Sequence, residues 1–124
     1  MERMVAIETS TRAGRLALAE DGVVIAEGEI GGRAGCGNDL VSAVAGLSRA
    51  AGWRPEDVRL IALSIGPGSF TGLRMAVMFS RTLAWRTGAR IVTVPTLRAV
   101  AENAPRSERT VGVVTDAPVS YTHL

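Results

Sequence analysis

The residues best placed to do chemistry lie in one stretch, Gly66-Pro67-Gly68-Ser69-Phe70-Thr71-Gly72-Leu73-Arg74. Gly66 and Gly68 permit positive φ or a close backbone approach, Pro67 fixes the bend, and Ser69 or Thr71 can cap a following helix. Such a turn leaves backbone N–H groups facing out of a helix N-terminus, a place for an anion. It also serves simply to pack a strand against a helix. The phosphate-loop pattern needs a Lys directly after its last glycine. Here Arg74 stands two residues after Gly72, and the chain contains no lysine. The dinucleotide pattern G-x-G-x-x-G is also unmet, because Gly66, Gly68 and Gly72 leave one residue too many.

Other reactive side chains are sparse. Cys36 sits among Gly35, Gly37 and Asn38 with no neighbouring His, and reads as an inert thiol rather than a nucleophile. A lone cysteine forms no intrachain disulfide, which agrees with a reducing cytoplasm. The only histidine is His123, so a site built on clustered histidines has no ligands. Glu8, Ser10 and Asp116 are hard oxygen donors of the kind that hold a cation, although a solvated carboxylate is the commoner role.

The elements that must position these residues follow from pattern. Leu60 to Ile65 is an apolar run with the length and branching of a buried strand, and the run from Leu73 to Trp85 has no Gly or Pro inside. Strand, glycine turn and helix over 71–87 therefore form one unit. Upstream, Met4–Ile7, Leu16–Ala19 and Val23–Ala26 read as an antiparallel meander. Ala13-Gly14 makes its first turn and Asp21-Gly22 its second. After a glycine-rich connector at 31–37, Leu40, Val41, Val44, Leu47 and Ala51 keep helical rhythm, capped by Asn38 or Asp39 and stopped by Gly52. Ile91–Val94 reads as a strand, Leu97–Asn103 as a helix, and Thr110–Thr115 as a last strand. The order is β-β-β-α-β-α-β-α-β, a mixed sheet with helices packed on it.

Composition sets bounds on function. A 124-residue chain that is 47% hydrophobic and 21% charged fits one globular domain. The net charge of +2 comes from scattered arginines, with no strip that marks a nucleic-acid surface. No apolar run is long enough for a transmembrane helix, and no signal peptide opens the chain.

This order and these motifs resemble the N-terminal half of the bacterial threonylcarbamoyladenosine dimerisation-subunit family, TsaB. Ile7-Glu8-Thr9-Ser10 stands where that family opens with Ile-Asp-Thr-Ser, and Gly66 to Arg74 matches its glycine signature throughout. Val94-Pro95-Thr96-Leu97 with Ala99 and Ala101 is similar to its Val-Ser-Thr-Leu-x-Ala-x-Ala, and Thr115-Asp116-Ala117 to the Asp-Ala closing a later strand. The resemblance covers residues 4–117. It implies an actin/Hsp70-like, ribonuclease H-like lobe over residues 1–117. It also implies a non-catalytic role supporting a TsaD-type catalytic subunit, with a TsaE-type ATPase joining the pair. That complex transfers threonylcarbamoyl to the adenosine beside the tRNA anticodon. ATP and metal then belong to the partners, no cofactor to this chain, and tRNA is met only through the complex. Carried across, the first two lobe helices pack against the partner, which places Leu40, Val44, Leu47, Leu73, Val77 and Met78 near the interface. A homodimer would use the same face.

The helix over 71–87 supports this independently. Met75, Val77, Met78, Phe79, Leu83 and Trp85 cannot all face one sheet, so a second surface must cover some of them. Two departures stand out. Glu8 replaces the family's Asp, putting a longer side chain where catalytic relatives bind phosphate or metal. The last seven residues, Pro118 to Leu124, match nothing in the family and read as a non-native tail. The competing reading is a sugar- or acetate-kinase-like phosphotransferase lobe, which needs an Asp base and a phosphate-binding second lobe. A glycopeptidase-type metalloprotein is a third, short of clustered His ligands.

Overall fold

The computed structural model describes residues 1–31 and 39–115. The expectations at Cys36, Asn38, Asp116, His123 and 118–124 lie outside them. The first three strands form as the turns predict: β1 (Arg3–Glu8), β2 (Arg15–Glu20) and β3 (Val23–Glu29), paired antiparallel in sequence. Asp21 and Gly22 both take positive φ, the backbone a two-residue hairpin requires. The register of β2 with β3 shifts at Leu18/Ala19, a local irregularity in the ladder.

Helix α1 (Leu40–Ala50) begins at Asp39, whose carboxylate accepts the Ser42 N–H at 2.8 Å. A 3₁₀ turn at Pro55–Asp57 then leads into β4 (Leu60–Ser64), which pairs parallel to β1. Helix α2 (Phe70–Thr87) starts earlier than the apolar run suggests, because Ser69 caps it by accepting the Gly72 N–H at 3.2 Å. It ends at Gly88 in the left-handed region. Strand β5 (Arg90–Val94) pairs parallel to β4, and α3 (Thr96–Ala101) follows. The five strands lie in the order β3-β2-β1-β4-β5, which puts β1 at the centre between β2 and β4.

One expected element does not form. Residues 110–115 join no strand of the sheet, and Val111 and Val114 are exposed. A β-branched run becomes a strand only where an edge is offered to it, and this one docks on neither β3 nor β5.

The two faces of the sheet are unlike. Val5, Ile7, Leu16, Leu18, Ile61 and Leu63 project toward α1 and α2 and form the core with Leu40, Ala43, Val44 and Ala76. On the other face Ala6 pairs in register with Ala17 and Ala62, so small side chains floor a hollow of about 210 Å³. Trp53, 5% exposed, closes the lower end of the core. Its indole N–H donates to Glu20 at 3.1 Å, and the Arg3 guanidinium lies 5.3 Å from its ring centroid. Arg3 also pairs with Glu20 at 3.1 Å and with Asp57 at 3.3 Å. The Arg54 backbone N–H, aided by the Arg54 and Arg3 guanidiniums, holds the Asp57 carboxyl below its ordinary range against the opposing effect of desolvation.

Candidate functional site

The glycine turn is occupied by the protein's own backbone. The Ser69 N–H donates to the Ser10 carbonyl at 2.7 Å, and the Gly72 N–H is taken by the Ser69 hydroxyl. A Cβ on Gly68 would stand 2.5 Å from the Ser10 Cβ, and one on Gly72 would stand 2.1 Å from the Thr9 carbonyl oxygen. These glycines exist so that the exit of β1 can lie against the start of α2. Two of the N–H groups an anion would take are thus engaged internally. The Thr9 hydroxyl donates to the Gly72 carbonyl at 2.8 Å, which completes the contact.

The other end of the turn is tied to α3. Gly66 N–H donates to the Thr96 hydroxyl at 3.1 Å, and the Thr96 N–H returns to the Gly66 carbonyl at 2.9 Å. The Gly66–Pro67 peptide is cis. Glu8 turns back on its own chain, its carboxylate accepting the Ser10 N–H at 2.6 Å. Among the described residues no three His, Cys, Asp or Glu side chains converge as metal ligands.

Helix α2 leaves this turn with two distinct stripes. Leu73, Ala76, Ser80, Leu83 and Thr87, spaced at three and four residues, face inward and are buried or half-buried. Met75, Met78, Thr82 and Trp85 repeat at the same spacing on the outside. Trp85 is 87% exposed and Met78 61%, with Phe70 at the helix start also out in solvent at 77%. Beside them on α1, Val41 is 61% exposed. Trp85, Phe70, Met78 and Val41 thus leave large apolar side chains exposed on α1 and α2.

Comparison with known proteins bears on this arrangement. The model of the family described as TsaD: tRNA N6-adenosine threonylcarbamoyltransferase matches residues 37–120. The chain belongs to that family. Within it the chain is TsaB-like. A tRNA threonylcarbamoyladenosine biosynthesis protein TsaB from Bacillus subtilis (strain 168) is 31% identical over 114 residues, 92% of this chain and 50% of its own length. The protein of the same name from Escherichia coli (strain K12) is 33% identical over 104 residues, 84% of this chain and 45% of its own. The solved structure of YeaZ from Pseudomonas aeruginosa superposes with a TM-score of 0.71 at 31% identity, over 86% of this chain and 50% of that one. A second solved structure, titled as an uncharacterized protein with similarity to peptidase YEAZ from Pseudomonas aeruginosa, gives 0.69 at 29%, over 87% and 50%. The chain spans about half the length of the curated TsaB relatives it matches. The TsaB-like chain has the actin-like lobe that the resemblance implies.

Against that fold, the six residues expected near a partner divide. Val77 and Met78 are exposed on the outer side of α2. Leu40 and Val44 lie in the core against the chain's own sheet, and Leu47 and Leu73 are half-buried on the inner side of their helices. The reason is physical: the helical rhythm that picks out Leu40, Val44 and Leu47 marks the stripe the chain buries for itself. Of the other outward residues, Val41 keeps the α1 rhythm and Met75 and Trp85 are among those that cannot all face one sheet, yet the resemblance puts none of the three near a partner. Their signal was large apolar side chains left off the inward stripe.

Of the signature, Gly66, Gly68, Ser69 and Gly72 form the joint between β1, β4, α2 and α3. Pro67, Thr71 and Arg74 are exposed on its outer surface beside Phe70.

Proposed function

We propose that this chain is a non-catalytic dimerisation subunit for adding threonylcarbamoyl to the adenosine beside the tRNA anticodon. It docks on a TsaD-type catalytic subunit through the outer stripe of α2, flanked by α1. The observation that carries the reading is that stripe. Met78 and Trp85 place bulky apolar surface in water on a helix already anchored on its other side, and Trp is a side-chain type that dominates interface energetics. The threonylcarbamoyladenosine biosynthesis proteins named TsaB, to which most of the chain aligns, supply the reaction.

In this reading residues 1–117 act as the lobe and 118–124 as a foreign tail. A TsaE-type ATPase joins the pair, and ATP and metal are held by the partners, with no cofactor in this chain. The complex, and not the chain alone, meets tRNA in the cytoplasm. A homodimer through the same stripe forms when the partner is absent. No described helix is long and apolar enough to cross a membrane. The phosphotransferase alternative finds no free donors in the turn at Ser69 and Gly72, whose N–H groups go to the Ser10 carbonyl and the Ser69 hydroxyl.

Sedimentation of the chain with a purified TsaD-type subunit tests the reading. A complex is expected, weakened about tenfold or more by Met78→Glu or Trp85→Glu. Absence of any complex, or threonylcarbamoyl transfer by this chain supplied alone, would overturn it.

A further inference from the structure

We propose that Thr9 and Thr96 are positioning residues whose hydroxyls clamp the two ends of the glycine turn. The clamp sets the direction in which α2 presents its outer stripe. This rests on the docking reading above and adds to it the part of the molecule that aims the docking surface.

Three observations lead there. First, both threonines are buried, and each bonds the backbone of the turn across a long span of chain, 63 residues for Thr9 and 30 for Thr96. The Thr9 hydroxyl holds the Gly72 carbonyl inside the first turn of α2, and the Thr96 hydroxyl accepts the Gly66 N–H while the Thr96 backbone N–H donates to the Gly66 carbonyl. Gly66 and Gly72 bracket the turn, so the two hydroxyls fix where it begins and where the helix leaves it.

Second, the absence of a Cβ at Gly68 and Gly72 brings Thr9 and Ser10 into direct backbone contact with the turn, which leaves that end no slack. Third, the body of α2 is held on the sheet separately from its first turn. Ala76 and Ser80 are fully buried there, and Phe79, Leu83 and Ala84 pack partly buried against the core. Near its far end, the Arg86–Glu56 ion pair at 3.4 Å is solvent-exposed, a weak tether. The two hydroxyls therefore act on the first turn of α2, and core packing holds the rest of the helix.

If the clamp is loosened, α2 samples directions in which its stripe no longer matches a partner, and affinity falls by the fraction of time it is misdirected. This predicts a defect in association that is separable from unfolding.

The test compares the double variants Thr9→Val/Thr96→Val and Thr9→Ser/Thr96→Ser in the full chain. Val keeps the shape and removes the hydroxyl; Ser keeps the hydroxyl. Calorimetry against a TsaD-type catalytic subunit and amide hydrogen exchange are measured for each. The Val pair is expected to bind about tenfold more weakly. Its amides at 73–77 should exchange faster, while those of β1 and β4 exchange as in the parent. The Ser pair is expected to restore both. Parent-like behaviour of the Val pair would overturn the assignment. So would a Ser pair that fails like the Val pair, or loss of protection in β1 and β4 together with α2, since the hydroxyls would then hold the fold as a whole. If the parent itself binds no catalytic subunit, the docking reading falls, and the exchange contrast between the two variants still decides the clamp.

Discussion

The inner and outer stripes of α2 both carry bulk, but only small residues are fully buried. Inside, the buried positions are Ala76 and Ser80; outside, in water, stand Met75, Met78 and Trp85. On α1 the ordinary arrangement holds, with Leu40 and Val44 inward. The contrast teaches that α2 lies closest to the core at Ala76 and Ser80, with Phe79 and Leu83 packed around them, and still carries large residues on its other side.

Substitutions that press on one stripe at a time sharpen the difference. The largest effect is expected where α2 meets β1. Gly72→Ala would drive a Cβ to 2.1 Å from the Thr9 carbonyl oxygen, and that backbone cannot yield locally. A loss of about 3 kcal/mol or more is expected, read from urea midpoints. Ala76→Leu comes next. Ala76 is fully buried beneath the helix, and added bulk there should lift α2 off the sheet at about 1–3 kcal/mol. Ser80→Ala has the opposite sign and a smaller size. Its hydroxyl is buried with no hydrogen-bond partner among the described residues, so its removal is expected to add about 1 kcal/mol to stability. On the outer stripe, by contrast, Met78→Glu should leave the urea midpoint within about 0.5 kcal/mol of the parent. A large loss of stability there would erase the distinction between the stripes.

Much of the lobe was legible because its signals are local. Asp21-Gly22 and the helix caps each act over a few residues; the turn stands where the pattern put it, and of the paired cap candidates the structure uses Asp39 and Ser69. The purpose of the glycine turn was not legible. A glycine that admits a phosphate and one that admits a neighbouring strand look the same in sequence; the Ser10 and Thr9 backbones that fill this turn come from some sixty residues upstream. The same limit explains the strand expected at 110–115, where branching gives the propensity and only tertiary structure supplies the edge. It also explains Leu40 and Val44, since periodicity reports a helix's buried face without saying whose surface buries it.

The two tryptophans give the molecule a pair of independent internal reporters. Trp53 is sealed at 5% exposure, with its indole tied to Glu20 and capped by Arg3. Trp85 stands 87% in water on the proposed contact surface. A soluble quencher should therefore extinguish one emitter and spare the other. Shielding of the bluntly quenched emission would register assembly, and exposure of the protected emission would register unfolding, in the same cuvette and without a label.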